Sequence, residues 1–511
     1  MALVNNGTSV LTPESDHAIS KGTPLLLEFL GPDILIMIFE QVCISSPQTL
    51  RSSRFLSRRV DQIVAPLSYR RITLSVKKLA AISGRNKREE IVRNLQAHAR
   101  HIELRHLLDW DEVASLLFGC AQLDAITWAC GREILQCYFP DAMRRLVRDK
   151  WPKMQIFNEF LDYPAMRQSG SFLMTFPASN MVSLKLHNRV SGQACEPLHR
   201  FLTACVNLKE LALYDLKSPF EPTGGRLPAI KVLSTDLQSW PYTPENVYLV
   251  WDFAQLEEME VPWHLLGLIS KSMSPREFCR LRRLKTDYKW IGTDSPAEYR
   301  QYHTDRTSFL NSILDQTPGN QLLELDVMCY LPLFSLPALT RHGRSLRILR
   351  LLDASGFEVD GLVTPTTTVE DLTVLQSKCP NLTELIIGIN IGCREAIAAF
   401  VALLSGFRNL RCITLYMQKV PNLYVTLGND KALDFSKHFA EQMSKNKAGL
   451  PLSRVSINIG EFTMMNLPHR RIDFSKVEID MSEVYRPRRL LSFSWDSEGQ
   501  MSFEEVAGRG R

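Results

Sequence analysis

The 511-residue chain lacks the cysteine pattern of a secreted scaffold or of a zinc ribbon. Its 11 cysteines are odd in number, and no two of them have C-x-x-C spacing. Secreted disulfide frameworks pair an even number of cysteines, and zinc ribbons repeat closely spaced pairs. Many of the cysteines stand in apolar runs, where a free thiol packs as a small hydrophobe. We therefore expect a reducing, intracellular location, either cytoplasmic or nuclear.

The sequence also lacks a membrane span and a strong charge of one sign. Residues 24–44 form a long apolar stretch, but Glu28, Asp33 and Glu40 interrupt it. Each of these charges would cost about 2.5–3.5 kcal/mol at the centre of a bilayer. The formal net charge is only +5, and the basic residues fall in short, separate runs. Nucleic-acid binders usually concentrate basic residues in a patch or stripe, so we expect neither a membrane nor a nucleic acid as partner.

Signatures of catalysis are missing as well. The sequence contains no G-x-x-x-x-G-K-[ST] loop, no G-x-S-x-G and no H-E-x-x-H. It has no set of His, Cys and carboxylate residues at metal-ligand spacing. The carboxylates Asp109, Asp111 and Glu112 precede an apolar helical run and are typical of a helix N-terminal cap. We predict a protein that is not an enzyme and uses no cofactor or metal.

What the sequence does have is an apolar-x-x-apolar-x-apolar pattern that recurs from about residue 99 to 495. Copies stand, for example, at 208–213, 256–261, 346–351 and 410–415, with helical patterns between many of them. Several neighbouring copies are about 22–27 residues apart, within the ~20–29 typical of leucine-rich repeats. The pattern predicts an irregular α/β solenoid of roughly twelve strand-and-helix units. A generic α/β domain with a leucine-heavy sheet is the alternative.

The open face of these strands carries the binding prediction. The apolar residues of each copy should face the core, and their alternating neighbours should face the open side. Acidic and basic residues are interleaved there, which favours a protein or peptide partner over a polyanion. Arg283 and Glu324 are on this face. The residues that we select as substrate-binding are Tyr214, Glu258, Lys285, Asp326, Arg350 and Tyr416.

Three short amphipathic helices are predicted between about residues 30 and 70. Pro32 suits the first helical position, and Asp33 adds negative charge where the helix dipole favours it. Pro66 is expected to end the third helix, and a short strand should follow through Leu74. A unit this small buries little surface alone. Its exposed apolar positions should therefore meet a partner or the rest of the chain.

This segment resembles the F-box family. Residues 30–39, LGPDILIMIF, match the family's opening L-P-x-E-[IL]-L-x-x-I-F, and residues 55–60, FLSRRV, look like R-x-V-S-[KR]-x-[FW]. The stretch 66–74, PLSYRRITL, is similar to the P-L-L-Y-R-x-[IV]-x-L tail of many filamentous-fungal F-box proteins. Gly31, Asp33 and Val60 depart from the usual proline, glutamate and aromatic residue.

The resemblance implies a substrate-recognition subunit of a Skp–cullin–F-box ubiquitin ligase. The F-box helices would dock on the Skp-type adaptor, and through it on the cullin, while the repeat region would hold a protein substrate. The residues that the resemblance assigns to adaptor contacts or to the helical core are Leu30, Pro32, Ile34, Leu35, Ile38, Phe39, Leu50, Leu56 and Val60. The alternative is a repeat scaffold for protein–protein interaction, in which the segment is a structural cap and no ligase is involved.

The predicted fold class is α/β, with an N-terminal three-helix F-box module followed by an irregular leucine-rich-repeat-like α/β solenoid. We expect a disordered lead-in without signal-peptide features at residues 1–23 and the F-box module at 24–75. The solenoid should occupy 76–495, and a disordered tail should follow at 496–511.

Overall fold

A computed structural model describes most of the chain. The described residues are 26–83, 88–105, 108–129, 138–158, 161–163, 170–188, 195–214, 220, 224–237, 240–287, 296–353, 366–390, 394–417, 430–459, 489–496 and 499–507. The lead-in predicted at residues 1–23 lies outside them.

The described residues separate into two compact units. The first runs to Leu104 and includes Leu108–Ala125, and the second contains Ile126–Arg511. The helices of the first unit are α1 (Pro32–Ser45), α2 (Pro47–Ser53), α3 (Arg58–Arg70), α4 (Val76–Ser83), α5 (Arg88–His98) and α6 (Trp110–Phe118). Its strands, β1 (Arg71–Leu74) and β2 (His101–Arg105), pair in parallel.

Side-chain caps are present at the starts of α2, α3 and α6. The Ser46 hydroxyl accepts a hydrogen bond from the Thr49 amide at the start of α2, and the Ser57 hydroxyl does the same for Val60 at the start of α3. The cap predicted at Asp109 is confirmed, because its carboxylate accepts from two amides in the first turn of α6. Such caps satisfy donors that have no partner within the helix.

The prediction that Pro66 ends the third helix is wrong, because α3 continues through it to Arg70. A proline inside a helix removes one backbone hydrogen bond and crowds the preceding turn. Pro66 is only four residues from the end of α3, and the helix is already fixed by the burial of Val60 and Val64. Packing therefore outweighs the local preference.

One core cluster of the first unit lies between α1, α2 and α3. It consists of Leu35, Phe39, Leu50, Val60 and Val64, all buried. Burial of one such side chain contributes about 1.5–3 kcal/mol. Two polar contacts add to this packing: Arg59 Nη2 donates to the Leu30 carbonyl at 2.6 Å, and Arg70 Nη1 lies 2.9 Å from Glu40 Oε1. These contacts join α3 to Leu30, just before the start of α1, and to the interior of α1.

The rest of the chain alternates strands with helices or irregular segments. The strands from Ala125 onward are β3 (Ala125–Ala129), β4 (Gln155–Asn158), β5 (Leu161–Tyr163), β6 (Met181–Asn188), β7 (Glu210–Tyr214), β8 (Val232–Thr235), β9 (Glu258–Pro262), β10 (Arg283–Asp287), β11 (Glu324–Cys329), β12 (Ile348–Asp353), β13 (Glu384–Gly388), β14 (Cys412–Met417), β15 (Arg454–Ile459), β16 (Arg489–Trp495) and β17 (Met501–Ala507). The helices are α7 (Asp141–Lys150), α8 (Cys195–Ala204), α9 (Val247–Val250), α10 (Trp263–Ile269), α11 (Pro296–Gln316), α12 (Leu336–Thr340), α13 (Val369–Lys378), α14 (Arg394–Gly406) and α15 (Lys431–Lys445). Across the described part of the chain, no helix is both long enough and apolar enough to cross a membrane.

The strands form an open α/β sheet. From β6 to β15, each strand pairs in parallel with the next one along the chain. The apolar patterns predicted between residues 181 and 457 fall on these strands. The predicted alternation is also present, because Leu284, Leu325, Leu349 and Leu385 align in register on consecutive strands and are all fully buried. Their neighbours point to the opposite, open face.

Aromatic side chains supply the buried layer where the helices are short. Helix α9 has only four residues. Near it, the Trp251 ring stacks between Trp240 and Phe253, with 5.6 Å between ring centroids on each side. Phe220 lies 5.9 Å from the same indole. Large rings bury much apolar area per residue, so this cluster adds buried area that the four-residue helix does not supply.

The prediction of a disordered tail at 496–511 is wrong for residues 501–507, which form β17. This strand pairs antiparallel with β16, which itself pairs antiparallel with β15. The turn between them uses Gly499 at φ +78°, a conformation that glycine adopts without steric cost. Phe503 then packs on Phe493, with their ring centroids 5.3 Å apart. Residues 508–511 lie outside the described part.

Candidate functional site

Helix α1 carries apolar side chains on two faces. Leu35 and Phe39 point into the core of the first unit. Ile34, Met37 and Ile38 point outward, with Met37 67% exposed. Positions three and four apart share one face of a helix, so the outward residues continue to Ile44, which is also exposed. A helix that is apolar on both faces has more apolar surface than its own core uses.

Two further apolar residues are exposed in the turn between α2 and α3. Phe55 is 90% exposed, and Leu56 follows it. This turn is fixed: the Phe55 and Leu56 amides donate to the carbonyls of Ser52 and Ser53, and Arg54 Nε lies 2.7 Å from Asp61 Oδ1. The side chains are therefore held outward by an ordered backbone. We call Ile34, Met37, Ile38, Ile44, Phe55 and Leu56 the exposed apolar set; Phe29, Ile36, Val76 and Phe118 of the first unit are exposed as well.

Burial divides the residues that the F-box resemblance singled out. Leu35, Phe39, Leu50 and Val60 are buried in the core. Leu30 is partly buried, and its carbonyl accepts from Arg59. The exposed members are Pro32, Ile34, Ile38 and Leu56. The sequence prediction omitted Met37, Ile44 and Phe55, although the spacing of Ile34, Met37 and Ile44 already indicated a second face.

The open face of β9–β12 carries a row of ion pairs, which we call the charged ladder. Arg283 Nη1 lies 2.7 Å from Glu258 Oε1 on one neighbouring strand, and Arg283 Nε lies 3.6 Å from Glu324 Oε2 on the other. Lys285 Nζ lies 2.9 Å from Glu324 Oε1. The register of the parallel strands sets these distances, since Arg283 is aligned with both Glu258 and Glu324.

The ladder ends at Asp326 and Arg350. Arg350 Nε lies 3.4 Å from Asp326 Oδ1, an ion pair without a hydrogen bond at that nitrogen. Burial raises the pKa of Asp326, while the charges of Arg350 and Lys285 act in the opposite direction. The hydrogen bond from Lys285 to Glu324 raises the pKa of the lysine. The ladder is thus a fixed surface in which the charges largely neutralise one another.

The predicted substrate-binding residues are only partly brought together. Glu258, Lys285, Asp326 and Arg350 are all members of the charged ladder. Tyr214 lies on β7, where its hydroxyl is 2.9 Å from Ser234 Oγ.

Tyr416 lies on β14, two strands beyond the ladder. Arg283 and Glu324, which we did not select, complete the ladder. Glu324 contacts both cations of β10, with its side chain only 12% exposed. The alternation of the sequence placed Glu324 on the correct face. Its pairing with Arg283 and Lys285 depends on the strand register, which the sequence pattern does not give.

No metal centre is found among the described residues, since no group of three or more His, Cys, Asp or Glu side chains could hold a metal ion. The candidate binding surfaces are the exposed apolar set and the charged ladder. No protein-family model matches the chain, and no curated protein matches it.

Proposed function

We propose that the chain is the substrate-recognition subunit of a Skp–cullin–F-box ubiquitin ligase. The α1–α3 module would be the F-box that docks on the Skp-type adaptor. The parallel sheet would be a leucine-rich-repeat-like solenoid that holds a protein substrate. The chain would perform no bond chemistry, because its contribution is tethering, which raises the effective concentration of the substrate at the ligase.

The observation that carries the proposal is the exposed apolar set. The buried core of the module contains Leu35, Phe39, Leu50, Val60 and Val64. The resemblance assigns Ile34, Ile38 and Leu56 either to adaptor contacts or to the core. All three are exposed and lie outside the core, so adaptor contact is the role that we propose for them. Exposed apolar side chains held by ordered backbone are typical of a protein-binding surface.

The substrate half of the proposal is supported by the open face. Its charges alternate in sign across β9–β12, as expected of a surface that selects a protein by complementary charge. Tyr214 and Tyr416 flank the charged ladder on β7 and β14. Tyrosine combines a large apolar ring with a hydroxyl, and it is enriched at interfaces.

The test is retention of a purified Skp-type adaptor on the immobilised full-length chain. The variant is Ile34→Asp combined with Ile38→Asp, both on the outer face of α1. The matched control is Leu249→Asp combined with Leu333→Asp, two exposed leucines of the second unit. We expect the first variant to reduce retention about tenfold or more, since apolar anchors at interface centres contribute most of the affinity. The control should bind as wild type does.

Two outcomes would contradict the proposal. A wild-type chain that fails to retain the adaptor removes the ligase function and leaves the scaffold alternative. Equal retention by wild type and by the Ile34→Asp, Ile38→Asp variant removes the exposed apolar set as the docking surface. Circular dichroism of both variants distinguishes lost binding from lost folding.

A further inference from the structure

A cavity of about 410 Å³ lies beside α12 and α13. Its apolar walls come from the turn after β11, from α12, from β12 and from α13; they include Leu331, Phe334, Leu336, Leu351 and Leu375. Helix α12 has five residues, whereas α13 has ten. Of these two described helices, α12 therefore supplies the shorter cover beside the cavity.

One polar group in the wall of this cavity has no partner. Thr367 is 4% exposed, and its hydroxyl makes no hydrogen bond. Its backbone amide is satisfied, because it donates to the Gly388 carbonyl at 2.9 Å. Two other polar residues of the wall, Thr368 and Asp371, bond reciprocally as the capping box of α13. A buried hydroxyl without a partner is costly, and among the described residues of this wall Thr367 has such a hydroxyl.

We infer that the cavity binds a compact, mostly apolar small molecule that carries one hydrogen-bonding oxygen. Small-molecule sites are concave and apolar with few polar groups, and they measure ~300–1,000 Å³. The ligand's apolar body would contact the leucines and Phe334, and its oxygen would meet the Thr367 hydroxyl. Rotation about the Cα–Cβ bond exchanges the hydroxyl and methyl of a threonine between staggered positions, so the hydroxyl can turn toward a ligand.

The cavity is separate from the surfaces that support the proposed function. Leu351 is buried on the core side of β12, whereas Arg350 of the charged ladder lies on the open face. The exposed apolar set belongs to the other compact unit. A recessed site on the core side of the strand favours a free small molecule over a segment of the substrate protein. The inference therefore stands or falls independently of adaptor binding.

The experiment titrates two probes, 2-naphthol and naphthalene, into the full-length protein and follows probe fluorescence. The two differ by one hydroxyl, so they separate the apolar contribution from the hydrogen bond. We expect saturable binding of both, with 2-naphthol bound about fivefold more tightly, as one net hydrogen bond provides.

Three variants sharpen the test. Thr367→Val keeps the side-chain shape and should abolish the preference for 2-naphthol while naphthalene binds unchanged. It should not destabilise the unliganded protein, because it removes an unsatisfied hydroxyl. Leu336→Trp should fill the cavity and prevent binding of both probes. The matched control is Leu333→Trp, at a nearby exposed leucine that does not line the cavity.

The inference is overturned if neither probe binds wild type saturably, which would leave the cavity to a side chain of a protein partner. It is also overturned if Leu336→Trp and Leu333→Trp bind the probes equally well. An unchanged preference for 2-naphthol in Thr367→Val would remove the threonine hydroxyl from the site.

Discussion

Ile34 and Leu35 are adjacent in α1 and have isomeric side chains, yet the structure gives them opposite environments. Leu35 is fully buried, whereas Ile34 is 50% exposed. Substitution of either by alanine removes the same three carbon atoms. Comparing the stability of the Ile34→Ala and Leu35→Ala variants therefore shows which apolar residues of α1 stabilise the first unit.

The two substitutions should differ widely in how much they lower the free energy of unfolding. A buried leucine replaced by alanine costs about 2–5 kcal/mol, because the lost transfer energy is joined by the cost of a cavity. Ile34→Ala should change stability by no more than about 0.5 kcal/mol, since exposed positions contribute little and alanine favours the helix. A loss of 2 kcal/mol or more corresponds to a local opening equilibrium about 30-fold larger.

Hydrogen exchange followed by mass spectrometry is the suitable assay, because it reports on α1 and α3 separately from the larger second unit. Leu35→Ala should accelerate exchange of peptides from residues 32–70 by about 30-fold or more. Peptides from β9–β12 provide the internal reference and should be unchanged. Similar acceleration by both variants, or none by Leu35→Ala, would refute the division of α1 into a core face and an outer face.

Three further predictions concern the helix start, the C-terminal hairpin and the charged ladder. Gly31→Pro should stabilise the start of α1 by about 0.4–1 kcal/mol, because proline reduces the freedom of the unfolded chain. The φ of Gly31 is −59°, and an added Cβ meets nothing within 4 Å. Slower hydrogen exchange of the α1 amides checks this prediction. The hydrogen bond from Arg489 holds the pKa of Asp430 below its usual range, so its contribution is present at neutral pH and is lost as the pH falls through that lowered value. Arg489→Gln should therefore reduce the free energy of unfolding in urea more at pH 7 than at pH 3, and equal losses would contradict the pairing. Glu324→Gln should cost ~1 kcal/mol in the same assay, while Glu260→Gln, at an exposed position on the same face, should be close to neutral.

Much of the α/β fold could be predicted because its main determinant is local. Each strand from β6 to β15 carries buried apolar residues at fixed spacing, and residues such as Leu325 and Leu349 reveal that spacing without knowledge of their neighbours. Strand β17 was missed because its described side chains are mostly exposed and carry no apolar repeat. Phe503 contacts Phe493, but the neighbouring Glu504 and Glu505 and the glycine- and arginine-rich residues 508–511 favoured a polar tail.

The candidate surfaces were harder to predict because they depend on packing between elements. The sequence shows one broad apolar stripe in α1, and only the positions of α2 and α3 decide that Phe39 is buried and Ile38 is exposed. The charged ladder depends on register between strands far apart in sequence. Glu324 meets Arg283 and Lys285 across a gap of about 40 residues, and no local pattern encodes that alignment.

Strand β16 runs antiparallel to β15, and this arrangement affects whether copies of the chain can associate through the edge of the sheet. A parallel sheet that ended at β15 would offer a row of backbone donors and acceptors to any passing strand. The antiparallel hairpin of β16 and β17 occupies that row, and Arg489 fastens it to Asp430 at the start of α15 with oxygen–nitrogen distances of 2.5 and 2.8 Å. The hairpin moves the open edge to β17, where Glu504 and Glu505 place charges that oppose pairing with another chain. A chain cut before Arg489 would expose the edge of β15 and lose the buried Leu491 and Phe493, so it should self-associate more than the full chain, as light scattering would show.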